Sequence, residues 1–201
     1  MPSRTCQHHI EPAWLTRIID HNHEQHRRAL DLAWLAGMVD GEACIRIARR
    51  APSKSSACGN PIFSVEITLG QNCVDTLDHI RALMERHLGI VCGKLNVVGR
   101  VAPEKAPTQT LTLRSAMAVK LLRAVRPYLR RKDLEADLAV RLGLHIQRVY
   151  AKRRASGQGL KVPLSAREIR FREACYRRLS ALKLRGPGCA YEGARQCARA
   201  S

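Results

Sequence analysis

The sequence is poor in acidic residues. Only 17 of its 201 residues are Asp or Glu, against 35 that are Lys or Arg, so the formal net charge at pH 7 is +18. Such an excess of positive charge predicts a polyanionic partner, and nucleic acid is the leading candidate. The length fits one domain with a full core and is too short for two large domains.

Long apolar runs are also missing. No stretch approaches the ~20 apolar residues that span a bilayer, and the basic residues are not gathered on one amphipathic helix. The N-terminal region contains Glu11 and Asp20 and offers no clear cleavage site, so no signal or transit peptide is evident. We therefore expect no membrane partner and a cytoplasmic protein encoded by a bacterium or phage, with an organelle as the alternative.

No Cys-x-x-Cys pair occurs among the eight cysteines, which favours reduced thiols over a disulfide framework or a zinc site. A second metal candidate is the set of N-terminal histidines, His8, His9, His21, His23 and His26. Their spacing lacks the four-residue step that places two zinc ligands on one helix face. Residues 1–25 are therefore interpreted as a mobile N-terminal extension.

Residues 35–45 form the most informative stretch, Leu-Ala-Gly-Met-Val-Asp-Gly-Glu-Ala-Cys-Ile. The first part is apolar and suits a helix, which we predict from about residue 26 to residue 40. The stretch then turns abruptly to Asp40, Gly41 and Glu42. Acidic side chains at a helix C-terminus are unfavourable by about 0.3–1 kcal/mol each unless a cation offsets them. The pattern predicts carboxylates delivered to a cation.

Alternation of apolar and polar residues predicts two β-hairpins. The four strands cover residues 43–50, 62–69, 90–98 and 109–114. The helices that follow cover about residues 72–88, 115–125, 132–156 and 165–184, the last one starting at a capping box of Ser165 and Glu168. This order predicts an α+β domain at residues 26–184, with helices on one face of a four-stranded antiparallel sheet, and a tail at residues 185–201.

The other face of the predicted sheet is polar and cationic. Such a face suits hydrogen bonds to base edges and phosphates of duplex DNA, although a solvated sheet face has a broadly similar composition. The residues that we predict to contact DNA are Arg46, Arg49, Arg50, Lys54, Ser64, Glu66, Thr68, Lys94, Asn96, Arg100, Thr110, Thr112, Arg114, Arg130 and Arg131.

Residues 35–43 closely resemble the signature helix of the LAGLIDADG homing endonucleases. The nine motif positions are occupied by Leu35, Ala36, Gly37, Met38, Val39, Asp40, Gly41, Glu42 and Ala43. Only Ala43 departs, since the family usually has glycine there. The motif occurs once, as in the members that work as homodimers. The resemblance covers residues 27 to about 150 and implies the LAGLIDADG fold, with element order α-β-β-α-β-β-α-α.

The resemblance also implies roles for single residues. Glu42 stands at the metal-binding acid, with the Gly41 carbonyl beside it, and Mg²⁺ is the implied cofactor, with Mn²⁺ as a substitute. Lys132 matches a basic catalytic residue, although a basic cluster that only touches phosphate explains it equally well. Gln71 is the nearest polar residue to a water-ordering position that direct register places at Leu69. The predicted dimer interface contains Ala33, Ala36, Gly37 and Asp40, and Asp40 is also expected to be a structural residue at the helix end.

The implied function is metal-dependent cleavage of both strands of a long, roughly palindromic DNA site by a homodimer encoded in an intron or another mobile element. Two alternatives use the same fold. One is an intron maturase, which binds RNA and assists splicing, and the other is a DNA-binding protein whose metal site has decayed. An intact Glu42 favours cleavage.

Overall fold

The computed structural model describes residues 13–52, 59–93, 95–98, 108–157 and 163–184, without the side chains of residues 13–21 and 184. The helices are α1 (Ala13–Glu42), α2 (Val74–Leu88), α3 (Ser115–Val125), α4 (Asp133–Ala155) and α5 (Ala166–Leu184). The strands are β1 (Ala43–Arg50), β2 (Ile62–Gln71), β3 (Asn96–Val98) and β4 (Thr108–Arg114). A short 3-10 turn at Arg126–Tyr128 joins α3 to the segment before α4.

The four strands form one antiparallel sheet in the order β1-β2-β4-β3. Their inward side chains, such as Ile45, Ile67 and Leu113, are buried against the helices. Burial of an aliphatic side chain of this size contributes about 1.5–3 kcal/mol each relative to exposure, so this layer supplies much of the core. The predicted α+β architecture is confirmed.

Two elements differ in length from the prediction. Helix α1 begins at Ala13 rather than near residue 26. Its first turns have apolar residues at helical spacing, from Trp14 to Ile19, but the polar run at residues 20–28 separates them from the apolar part of the helix that was recognised. Strand β3 has three residues instead of nine. The N–H groups of Gly89 and Ile90 donate to Glu85 and Met84 carbonyls (2.9 and 3.2 Å), so this segment closes α2 instead of extending the sheet. The domain limits at residues 25 and 184 stay predictions.

Helix α5 starts at the predicted capping box. The N–H and Oγ of Ser165 donate to Glu168 Oε2 (2.9 and 3.2 Å), and the Glu168 N–H donates to Ser165 Oγ (3.2 Å). Arg49 on β1 bonds Glu173 on α5 and so joins this helix to the sheet edge. None of the described helices is long and apolar enough to cross a membrane.

Candidate metal centre and nucleic-acid interface

The second half of α1 has apolar residues on two different faces. One face, which includes Leu35, Ala36 and Val39, is buried in the core of the same chain. The other face carries apolar or small residues that are exposed at helical spacing; we call it the outer stripe, and it consists of Leu30, Ala33, Trp34, Gly37 and Gly41. Apolar residues that lie exposed at helical spacing, on a face other than the buried one, suit burial against a further partner.

This geometry corrects the predicted dimer interface. Ala36 is fully buried in its own chain and is therefore not available to a second subunit. Ala33 and Gly37 are exposed, and a Cβ added at Gly37 would meet nothing within 4 Å. Of the three small residues predicted to lie in the dimer interface, only Ala33 and Gly37 are available to a second subunit.

Asp40 is used within the chain. Its Oδ2 accepts the backbone N–H groups of Arg130 (2.7 Å) and Arg131 (3.2 Å), and its Oδ1 accepts the N–H of Lys132 (3.0 Å). These three N–H groups belong to the turn that leads into α4. The Asp40 carboxylate thus joins the end of α1 to the start of α4, which is a structural role within one chain and not a contact with a second subunit.

Lys132 supplies the cation that the acidic helix end requires. Its Nζ donates to the carbonyl oxygens of Val39 (2.9 Å) and Ala43 (2.6 Å), which lie at or just beyond the last turn of α1. Burial lowers the pKa of the Lys132 ammonium, and the nearby carboxylates of Asp40 and Glu135 partly oppose this change. The side chain therefore stabilises the negative end of the α1 dipole.

Glu42 is the last residue of α1 and is exposed. No described side chain forms an ion pair or hydrogen bond with its carboxylate. The backbone around it is nevertheless held on both sides, by the contacts of Asp40 and by the two carbonyls that bind Lys132. The backbone at Glu42 is thus fixed, while its carboxylate remains accessible to a ligand.

The oxygen donors at this tip fit a hard divalent cation. The carbonyl of Gly41 is among the last four of the helix, which have no partner within the helix, and a carboxylate with a carbonyl oxygen is a donor set that suits Mg²⁺. Within the described ranges, no three or more His, Cys, Asp or Glu residues are grouped as a metal site. One described chain therefore brings a single free carboxylate to this position.

The predicted water-ordering residue, Gln71, and the position set by direct register, Leu69, both lie at the end of the sheet next to the tip of α1. Ala43 pairs with Leu69, and Gln71 follows two residues later at the end of β2, half-buried and paired with Gln109. Leu69 itself is buried in the core and cannot order water. Gln71 is therefore the better placed of the two residues.

Sequence reasoning missed Lys183. Its Nζ donates to Cys44 Sγ (3.0 Å), and exposed Cys44 lies two residues beyond Glu42. Helix α5 thus brings a second ammonium group to the helix tip. The two residues are 139 positions apart, and no local pattern links them.

The open face of the sheet contains most of the predicted DNA contacts. Strand alternation and pairing place on it Arg46, Arg50, Ser64, Thr68, Asn96, Thr110, Thr112 and Arg114. Thr68 and Thr112 share a hydrogen bond across two strands (3.3 Å). Lys54, Lys94 and Arg100 lie outside the described residues.

Three other predicted contacts lie away from this face. Arg49 lies on the helix-covered side, where its Nε donates to Glu173 (3.0 Å), because neighbouring residues of a strand alternate between faces. Arg130 and Arg131 are exposed in the turn before α4, next to the tip of α1 rather than on the sheet.

Glu66 was predicted to contact DNA directly, and this is wrong. Its side chain points to the open face, but the residue is fully buried beneath three arginines. Arg46 Nη2 lies 2.6 Å from Glu66 Oε2, while Arg50 Nη2 and Arg114 Nε each lie 3.3 Å from Oε1. The sequence could not show this cover, because the arginines come from both neighbouring strands.

Two solved structures show the same arrangement of elements. The archaeal intron-encoded homing endonuclease I-Vdi141I, complexed with DNA, matches with a TM-score of 0.55 and 12% identity over 79% of this chain and 85% of that chain. The meganuclease I-SmaMI, bound to uncleavable DNA, matches with a TM-score of 0.50 and 15% identity over 72% of this chain and 43% of that chain.

The chain has the LAGLIDADG homing endonuclease fold. No protein-family model matches the sequence, and no curated protein matches it. The likeness therefore lies in the fold and in the order of residues around the LAGLIDADG helix.

The one departure from the LAGLIDADG motif is accommodated. Ala43 is buried, begins β1 directly after the helix and gives its carbonyl to Lys132. Among the described residues other than glycine, only Ser115 has a positive φ, so Ala43 does not occupy a conformation that requires glycine. Alanine at this position causes no backbone strain.

Proposed function

We propose that this protein is a site-specific DNA endonuclease that depends on Mg²⁺, or on Mn²⁺ in its place, and cuts a long, roughly palindromic site as a homodimer. Its gene would lie in an intron or another mobile element, and the product would act in the cytoplasm. The observation that carries the proposal is Glu42, an exposed carboxylate with a fixed backbone at the end of a helix whose outer stripe is also exposed.

The outer stripe supports the homodimer. Ala33 and Gly37 allow two helix backbones to approach closely, while Leu30 (58% exposed) and Trp34 (41% exposed) provide apolar area to bury. A second copy presents the same stripe, and pairing about a two-fold axis would bring the two Glu42 residues together. A site that is half complete in one chain would then become complete in the dimer.

The sheet supports DNA as the substrate. Arg46, Arg50 and Arg114 are exposed on its open face, and the hydroxyl groups of threonines lie beside them. Arginine forks and hydroxyl groups are suited to phosphates and to base edges in the major groove. The relatives I-Vdi141I and I-SmaMI share the fold and are themselves bound to DNA.

In the proposed site, the Glu42 carboxylate and the Gly41 carbonyl would hold the divalent cation. The cation supplies charge stabilisation for in-line displacement at a phosphodiester. Lys132 holds the helix tip and adds positive charge near the scissile phosphate, and Gln71 orders water at the adjacent sheet end. Two Glu42 carboxylates close to a two-fold axis repel each other when the cation is absent.

Cleavage is tested with Glu42→Gln. Duplexes that the unmodified protein selects from a random library are incubated with Mg²⁺ or Mn²⁺, and we expect double-strand cutting that the variant loses while it still binds. Glu24→Gln is the matched control, since it removes the same charge from the same helix about 27 Å away, at 1.5 Å per residue. If wild-type protein binds its selected duplex but never cuts it, the proposed endonuclease activity is refuted. A preference for folded intron RNA over duplex DNA would favour a maturase.

Dimer formation is tested with Gly37→Leu. A side chain at this position has open space in the single chain, so the monomer should fold normally, while close helix approach is blocked. Sedimentation equilibrium should show a monomer, and cutting should fall at least 100-fold, a loss equivalent to about 2.7 kcal/mol in the barrier. Val91→Asp, which alters an exposed apolar residue elsewhere, should stay dimeric. A dimeric Gly37→Leu protein would refute this interface.

A further inference from the structure

The open face of the sheet contains one buried acid, and its two carboxylate oxygens are fully used. Glu66 Oε2 accepts Arg46 Nε (2.9 Å) and Nη2 (2.6 Å). Glu66 Oε1 faces Arg50 Nη2 (3.3 Å), Arg114 Nε (3.3 Å) and Ser64 Oγ (3.4 Å). No exposed acceptor remains for a cytosine amino group, so Glu66 cannot itself read a base.

The three arginines differ from Glu66 in exposure. The side chains of Arg46, Arg50 and Arg114 are 53%, 60% and 59% exposed, whereas that of Glu66 is 1% exposed. A guanidinium has five N–H donors, and Arg46 uses two nitrogens on the carboxylate. The remaining donors are directed away from the acid, and three cations against one anion leave the cluster with a net charge of +2.

An arginine that is held by Glu66 can present its free N–H groups to DNA in a fixed direction. An unrestrained arginine on a sheet can reach phosphate or base in many conformations, whereas a carboxylate that holds one edge of the guanidinium fixes the direction of the other edge. The fixed edge matches the O6 and N7 acceptors of guanine in the major groove. A guanidinium edge with a fixed direction is thus suited to a base as well as to a backbone phosphate.

The register gives the cluster a distance from the helix tip, which becomes a number of base pairs if β1 runs along the groove of a bound duplex. Arg46, Glu66 and Arg114 lie directly opposite one another on three adjacent strands. Arg46 is four residues beyond Glu42, or roughly 13 Å along the strand at about 3.3 Å per residue. Base pairs are stacked about 3.4 Å apart, so this distance corresponds to about four base pairs.

We propose that Glu66 is a positioning residue that orients Arg46 and Arg114 to select guanine about three to five base pairs from the scissile phosphate in each half-site. This inference rests on the proposed function, since it assigns part of the base preference of the same DNA-binding face. Glu66 acts through the arginines and does not touch the DNA.

The test compares the duplexes that each protein selects from a random library, by sequencing the bound pool. The wild type should prefer guanine within that window, and Glu66→Gln should reduce the preference roughly tenfold, in the range expected for loss of one oriented bidentate contact. Binding to random duplex should not weaken, because the variant loses one negative charge and the net charge of the cluster rises by one. Pure electrostatics would predict tighter binding with unchanged selectivity, so the two explanations give different results.

Glu173→Gln is the matched control. It removes the same charge from a carboxylate that pairs with an arginine on the helix-covered side, and it should leave the base preference unchanged. Arg46→Lys is the second variant: it keeps the charge at an exposed position, loses the fork and should show the same reduced guanine preference. This variant carries the test if Glu66→Gln does not fold, as judged by thermal unfolding.

The outcomes separate this inference from the proposed function. The role of Glu66 would be overturned if the wild-type protein selects a site without guanine in the window, or if the variants keep the guanine preference. Neither result would contradict the proposed endonuclease function. A wild-type protein that selects no duplex would overturn both.

Discussion

The helix tip and the open face of the sheet both contain a carboxylate that the fold holds, but each carboxylate holds different partners. Asp40 at the tip accepts three backbone N–H groups from the turn before α4. Glu66 on the sheet accepts arginine side chains that are themselves more than half exposed. Backbone partners join two elements of the fold, whereas side-chain partners organise a surface.

The helix tip itself contains both kinds of charge, those that hold the fold and one that is open to a ligand. Asp40 and Lys132 are both engaged with backbone atoms, and both hold the segment that contains Gly41 and Glu42. Glu42 is exposed and has no partner among the described side chains. A charge satisfied by the backbone of its own chain contributes to stability, and a charge that the fold positions but leaves open is available for a ligand.

The largest effect on stability is expected for Asp40→Ala. It removes the acceptor of three N–H groups, and hydrogen bonds to a charged group contribute about 1.5–3 kcal/mol each, with strong overlap, so we expect a loss of about 3 kcal/mol in the free energy of unfolding. Urea denaturation measures it. Asp78→Ala, which breaks only an exposed pair with Arg81, should cost less than about 1 kcal/mol. Equal costs would contradict the structural role of Asp40 in joining α1 to α4.

A smaller loss, about 2 kcal/mol at neutral pH, is expected for Lys132→Met, which keeps the apolar stem and removes two bonds to carbonyls. Its pH dependence is a sharper test. Burial lowers the pKa of Lys132, so between the folded pKa and the unfolded value near 10.4 the unfolded chain binds more protons. The contribution of this group therefore becomes more favourable as pH rises through that window.

The measurement is the unfolding free energy of wild type and Lys132→Met from pH 7 to pH 10. The stability advantage of the wild type should grow toward alkaline pH, since the cost of the buried charge is relieved by deprotonation. An advantage that shrinks with pH would mean that the ammonium is held more strongly by Asp40 and Glu135 than burial disfavours it.

The sequence predicted the framework better than the site. Strand β1 and the inward row of β2 followed from alternation, and Ala43 was recognised as the one departure from the motif. The hydrogen bonds from the turn before α4 to Asp40 could not be predicted, and neither could the three arginines that bury Glu66. In both cases the partners are far apart in sequence and only the folded sheet and helices bring them together. Alternation assigns Glu66 to the polar face correctly, but it gives no information on what lies above that side chain.

The smallest effect is expected at the start of α5, where the Glu168 carboxylate accepts one backbone N–H, from Ser165, instead of the three that Asp40 accepts. Burial raises its pKa, but the hydrogen bonds from Ser165 and the charge of Arg153 outweigh burial and lower the pKa overall. Glu168→Gln keeps an acceptor oxygen for Ser165 and removes the negative charge that faces Arg153 in the first turn of α5, so it should cost less than about 1 kcal/mol at pH 7.

The sign of the pH dependence follows from the lowered pKa. The folded pKa of Glu168 lies below the unfolded value near 4.3, so its contribution is present above that value and disappears as pH falls through the folded pKa. The difference in urea midpoint between wild type and Glu168→Gln should therefore be full at pH 7 and much smaller at pH 3. A cost at pH 7 as large as that of Asp40→Ala would show that carboxylate charge, and not the number of backbone N–H groups that the carboxylate accepts, accounts for the stability at the helix tip.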